Sequence, residues 1–169
     1  MTPVIDKYWK LTQQLGERFL KARWDESLDK TTTRARENEG KEIPMRKEIS
    51  DSAMGFISNL DFSVVPEFDD KVFGEQIDSY AKFVAIARTP ISIQDYRTDF
   101  YCDYIPTPER PTRLVKQLKK LGKCLAVIRG NQEVTEAELN TIRRVCKDTI
   151  PQDRLKILET IGKFENDCR

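Results

Sequence analysis

The spacing of leucines after Arg113 constrains the fold most. Leu114, Leu118, Leu121, Leu125 and Ile128 recur at intervals of four, three, four and three, which places a single apolar seam along one helix spanning 109–129. Gly130 and Asn131 follow, the residue types that close a helix in the left-handed conformation. Thr135 then stands three residues before Glu138, the spacing of a capping box that opens a second helix over 135–148. That helix carries Leu139, Ile142, Val145 and Cys146 on one side. About five residues between the two helices leave no room for anything but antiparallel packing. A chain built around such a hairpin is mainly α.

The flanking stretches read the same way. Thr2 and Pro3 suit a helix start, with Val4, Tyr8, Leu11 and Leu15 at helical spacing and a stop at Gly16. "RFLKARW" over 18–24 alternates enough for one short strand. Two surface helices are expected over 26–38 and 45–60. The second has a buried stripe of Met45, Ile49, Ala53, Phe56, Ile57 and Leu60. A helix over 69–88 buries Val72, Phe73, Ile77, Tyr80, Ala81, Val84 and Ala85. Residues 89–108, aromatic and bracketed by prolines, read as a loop or small hairpin. Pro151 opens a last helix containing Leu155, Leu158 and Ile161. The fold expected is a helical bundle with a C-terminal helical hairpin and at most a short β element.

Composition narrows the function. The 169 residues contain 29 Lys or Arg against 28 Asp or Glu, so bulk charge gives no reason for an obligate nucleic-acid binder. Charge is nevertheless uneven: 109–129 holds seven basic residues against Glu109, and 61–79 holds six acids against Lys71. These are either solvated faces or two helices that complement one another. There is no histidine, which removes Ser-His and Cys-His nucleophiles and the usual zinc sites. The cysteines at 102, 124, 146 and 168 form no CxxC pair and are expected to be reduced in a cytosolic protein. No run approaches the ~18 apolar residues of a membrane span, and no signal peptide opens the chain. The expected location is the cytoplasm.

The candidate chemical groups are mostly cationic. Arg113 lies one turn into the amphipathic helix, where it can reach from the core edge toward an anion or stay solvated. Arg18, in "LGERFL", stands between a glycine-terminated helix and an apolar segment, and either projects from a strand start or joins a surface ion pair. Asp95, Asp99 and Asp103 are spaced four apart among Tyr96, Phe100, Tyr101 and Tyr104, but the glycine of a calcium loop is missing. With Arg97 those aromatics either stack bases or pack on a core. No GxxxxGK[ST] loop occurs, nor an apolar strand ending in Asp-Glu, so the chain alone has no means of holding and hydrolysing a nucleotide. No metal site is expected.

"LGERFL" and "PTRLVKQLKKLGKCLAVIRGNQEVTEAELNTIRRV" together resemble the C-terminal half of AAA+ ATPases, especially the MoxR-like and minichromosome-maintenance-like branches. The resemblance implies an arginine finger at Arg18 and a sensor arginine at Arg113, with Arg110 one turn away as the alternative. It divides the chain into the tail of a nucleotide-binding core (1–24), a helical insertion or connection (25–106), a lid-type helical subdomain (107–150) and the start of a further helical domain of winged-helix type (151–169). It also implies that ATP and magnesium are held by a nucleotide-binding core lying elsewhere, either earlier in a longer chain or lost in a stand-alone relative. The partners it implies are that core and neighbouring subunits of a homo-oligomer. Two other readings remain: a helical nucleic-acid-binding module using Lys116, Lys119, Lys120 and Lys123, and a helical adaptor that binds only protein.

Overall fold

The computed structural model describes residues 20–23, 28–89 and 107–167. Among them run six helices: α1 (Leu28–Glu37), α2 (Glu42–Ser58), α3 (Asp70–Ala87), α4 (Thr112–Arg129), α5 (Glu136–Thr149) and α6 (Gln152–Asp167). The chain is mainly helical, with α3, α4 and α5 packed pairwise around one core. Ile77, Ala81 and Val84 of α3 meet Leu114 and Leu118 of α4 and Leu139 and Ile142 of α5, with Ile150 closing the end.

Each core helix is delimited by local chemistry. The Asp69 carboxylate accepts from the amides of Lys71 at 2.8 Å and Val72 at 3.4 Å, capping α3. Helix α4 follows Pro111, whose ring cannot donate within a helix. It ends at Gly130 with φ 71°, where Asn131 N donates to Ala126 O and Gly130 N to Val127 O. These two bonds make a Schellman motif, which satisfies carbonyls the helix would otherwise leave unpaired. Thr135 and Glu138 form the capping box at the start of α5.

The structure moves the seam of α4. Leu114 and Leu118 are buried, but the row then continues through Gly122 and Ala126, while Leu121 and Leu125 are half-buried and Ile128 is exposed. Four-residue spacing is the ridge along which straight helices pack. The small residues also bring α5 close. A Cβ at Gly122 would lie 3.2 Å from Ile142 Cδ1 and 3.5 Å from Val134 Cγ1.

Other expectations are corrected. The Met45–Leu60 stripe is not buried: α2 buries no residue, because no core element lies over it among the described residues. Val72 faces solvent, being on the flank of α3 away from Ile77. Leu155 packs against the core, but Leu158 and Ile161 of α6 do not. Residues 20–23 are in no strand. Lys21 N donates to Thr149 Oγ1 and Arg23 N to Asp148 Oδ2, so the segment is held by the end of α5 and not by a sheet. The β-type pairing among the described residues is elsewhere, a parallel bridge between Glu67 and Glu133. Glu67 N donates to Gln132 O and Val134 N to Glu67 O, each at 3.0 Å, so the hairpin turn is tied to the segment entering α3. The expected N-terminal helix and the aromatic stretch with Asp95, Arg97, Asp99 and Asp103 lie outside the described residues.

Candidate functional site

The α4–α5 hairpin carries most of the sequence-derived candidates and has two unlike ends. At the turn, Glu138 is completely buried, which is tolerable only because every oxygen is occupied. Its Oε2 accepts from Thr135 N at 2.7 Å and from the Thr135 hydroxyl. Its Oε1 accepts from Arg129 Nη1 at 2.6 Å and Asn131 Nδ2 at 3.4 Å. Burial pushes the carboxyl up, but the Thr135 hydroxyl, Arg129 and the Thr135 amide outweigh it and bring it down to about 2. Arg129 also donates to Thr141 Oγ1 at 3.2 Å, binding the last turn of α4 to α5. The turn is therefore a fixed hinge, locked by one buried charge.

The other end faces outward. Helix α4 contains no acidic residue. Arg113, Lys116 and Lys120 are exposed and Lys123 is half-exposed, at intervals of three, four and three, opposite the Leu114–Ala126 row. At the helical rise this basic stripe runs about 15 Å. None of the four, nor exposed Arg110 just before the helix, is held by a hydrogen bond or ion pair among the described residues. Lys119 differs from them. It pairs with Asp70 at the start of α3, and its ammonium sits 5.4 Å from the centre of the Phe68 ring. The acidic 61–79 stretch and the basic helix thus complement one another at this position, while the rest of the basic face has no partner among the described residues. Arg18, the other arginine implied by the resemblance, lies outside the described residues.

Three arginines the sequence did not single out are structural. Arg88, almost fully buried, pairs with Glu109 and joins the end of α3 to the approach to α4. Arg154 of α6 donates to Ala87 O at 3.0 Å and to Thr89 O, occupying carbonyls at the C-terminus of α3. Burial lowers its pKa. Arg23 donates through Nε to Asp148 O and through Nη2 to Ile150 O at the end of α5. A basic residue near a helix C-terminus is a sequence signal only for its own helix; Arg154 and Arg23 instead serve helices distant in the chain.

Arg154 also borders an apolar hollow of about 370 Å³ with Ile86, Thr89, Pro108, Ile157 and Leu158. A second hollow of about 380 Å³ lies where Leu60 and Val64 approach Ile128 and Gln132. Burial pushes the Cys146 thiol up to about 12, so it behaves as a core side chain and not as a nucleophile. Among the described residues no group of three or more Cys, Asp or Glu side chains could hold a metal ion, and no helix is long and apolar enough to cross a membrane. Comparison with protein families, with curated proteins and with solved structures finds no match to this chain.

Proposed function

We propose that this chain is the lid portion of a cytoplasmic, homo-oligomeric AAA+ ATPase, with Arg113 as the sensor of a nucleotide held by a separate core. The observation that carries this reading is the combination at α4. The hairpin is locked at one end by a buried charge, and an arginine at its other end has its guanidinium exposed and unengaged among the described residues. A sensor must hold its place while leaving its donors free. Arg113 provides a planar fork of donors for phosphate oxygens. Beside a γ-phosphate it offsets charge as the bond to the leaving group breaks, and it transmits nucleotide state to the hairpin as a rigid piece. ATP and magnesium belong to the core; this chain alone turns over nothing. Arg18 is the corresponding finger toward a neighbouring subunit, and Arg110 the neighbouring alternative for the sensor.

The test is steady-state ATP hydrolysis by the ATPase that contains this segment, with and without Arg113→Ala. Turnover should fall by at least about tenfold, as for other charged donors to a transferring phosphoryl group, with the melting temperature unchanged. Unchanged turnover for both Arg113→Ala and Arg110→Ala rejects the sensor role.

The lysines on the same face that have no partner among the described residues support a second reading, nucleic-acid binding. Lys116, Lys120 and Lys123 are spaced to track a phosphate backbone. Binding of this kind weakens linearly in the logarithm of salt concentration, and replacing these lysines reduces the slope by about one for each phosphate no longer neutralised. Under the ATPase reading the same substitutions leave basal hydrolysis unchanged.

A further inference from the structure

Helix α2 poses a physical problem that the other described residues do not solve. It spans Glu42–Ser58 and buries no residue. Only Met45 is even partly covered. A lone helix of this length is marginal in water, and most helical stability in proteins comes from packing an apolar face. Such a face is present. Met45, Ile49, Ala53, Phe56 and Ile57 fall on one side at helical spacing, and Ile43 and Met54 widen one edge. Ile43 is 83% exposed, Ile49 65%, Met54 59%, Phe56 51% and Ile57 50%. Together these five side chains leave on the order of 600 Å² in solvent, approaching the ~800 Å² that each partner contributes to a stable interface. Isolated exposed apolar residues are ordinary; neighbouring ones along a face, here broken by Glu42 and Arg46 in the first turns, mark an interaction surface.

The charge pattern selects the occupant. Residues 28–58 carry six acids (Asp29, Glu37, Glu39, Glu42, Glu48, Asp51) and six bases (Lys30, Arg34, Arg36, Lys41, Arg46, Lys47), so a second copy meets no net repulsion. Within α2 every charged residue lies between Glu42 and Asp51, and the last turns, from Ser52 to Ser58, have none. Parallel pairing would set like charges level with like. Antiparallel pairing sets each charged half beside the uncharged half of the other helix and opposes the two helix dipoles. Ala53, small and near the middle of the stripe, lets two backbones approach at the crossing.

We infer that α2 is a self-complementary dimerisation helix, covered by α2 of a second copy of this chain in an antiparallel, two-fold arrangement. This surface is separate from the α3–α4–α5 core and from the basic face of α4, so the inference stands independently of the ATPase reading.

Sedimentation of the full chain across a wide concentration range tests it. A monomer–dimer equilibrium is expected, and Ile49→Glu and Phe56→Glu should each weaken it by at least about tenfold. Because α2 contributes nothing to the core, both variants should keep the thermal transition of the α3–α5 bundle. A chain that stays monomeric, or a dimer indifferent to both substitutions, overturns the proposal. Orientation is read by oxidative cross-linking relative to the unsubstituted chain. Ala53→Cys, near the two-fold axis, should link two copies efficiently and Ile43→Cys, near one end, should not. Equal linking at both positions would show parallel pairing and overturn the arrangement.

Discussion

Replacing Glu138 by glutamine tests whether the hairpin turn is locked by a buried charge. Glutamine keeps the volume and one carbonyl acceptor but removes the negative charge that faces Arg129 at 2.6 Å, and it turns an NH2 group toward donors. The size of the effect follows from the depression of the carboxyl from 4.5 to about 2, which corresponds to about 3 kcal/mol of native-state preference for the ionised form. The carboxylate is fully buried but its Arg129 partner is exposed, so solvent screens part of this and about 3 kcal/mol is a ceiling. The sign is set by the direction of the change. A folded-state pKa below the unfolded one gives stability that is complete above pH 4.5 and is lost as pH falls toward 2. At pH 7 Glu138→Gln should therefore cost up to about 3 kcal/mol in a urea denaturation, and by pH 3 more than half of the gap between the two proteins should have closed. The assay is a set of urea melts of both proteins between pH 7 and pH 2.5. A difference under about 0.5 kcal/mol at pH 7, typical of an ordinary surface site, would refute the reasoning. So would a difference that does not change with pH, which would assign the loss to shape alone.

Two other substitutions probe the same hairpin by different physics. Leu118→Ala removes a fully buried side chain from the α3–α4–α5 core and should cost ~2–5 kcal/mol, while Thr135→Ala removes the cap and one donor to buried Glu138 and should cost ~1–2 kcal/mol, both read from denaturant midpoints. Gly122→Leu should destabilise by ~1–3 kcal/mol despite its better helix propensity, because Ile142 and Val134 occupy the space; a stabilised variant would show that α4 and α5 do not approach closely there.

How much was legible in advance depended on the distance over which each interaction acts. The capping box at Thr135, the left-handed Gly130 and the amphipathic row from Leu114 to Leu118 act within one or two turns. Their residue types and spacing therefore specify them before any tertiary contact forms, and the mainly α fold and the antiparallel hairpin followed from them. The register of the seam was less legible, since leucine and glycine look opposite in hydrophobicity. Only the approach of α5 made Gly122 a core position and left Ile128 in water. The candidate site divided in the same way. Arg113 stands out as a candidate from its place at the head of the helix, but whether its guanidinium is engaged depends on which acids come near. Lys119, with the same residue type as its neighbours on the same helix, is instead paired with Asp70. The roles of Arg88, Arg154 and Arg23 were invisible because their partners lie 21 or more residues away. Helix α2 shows the limit most plainly. Its stripe from Met45 to Leu60 declares that the helix needs a partner. A hydrophobic pattern specifies that a face must be covered and not by what, and the fold of the described residues leaves that face open.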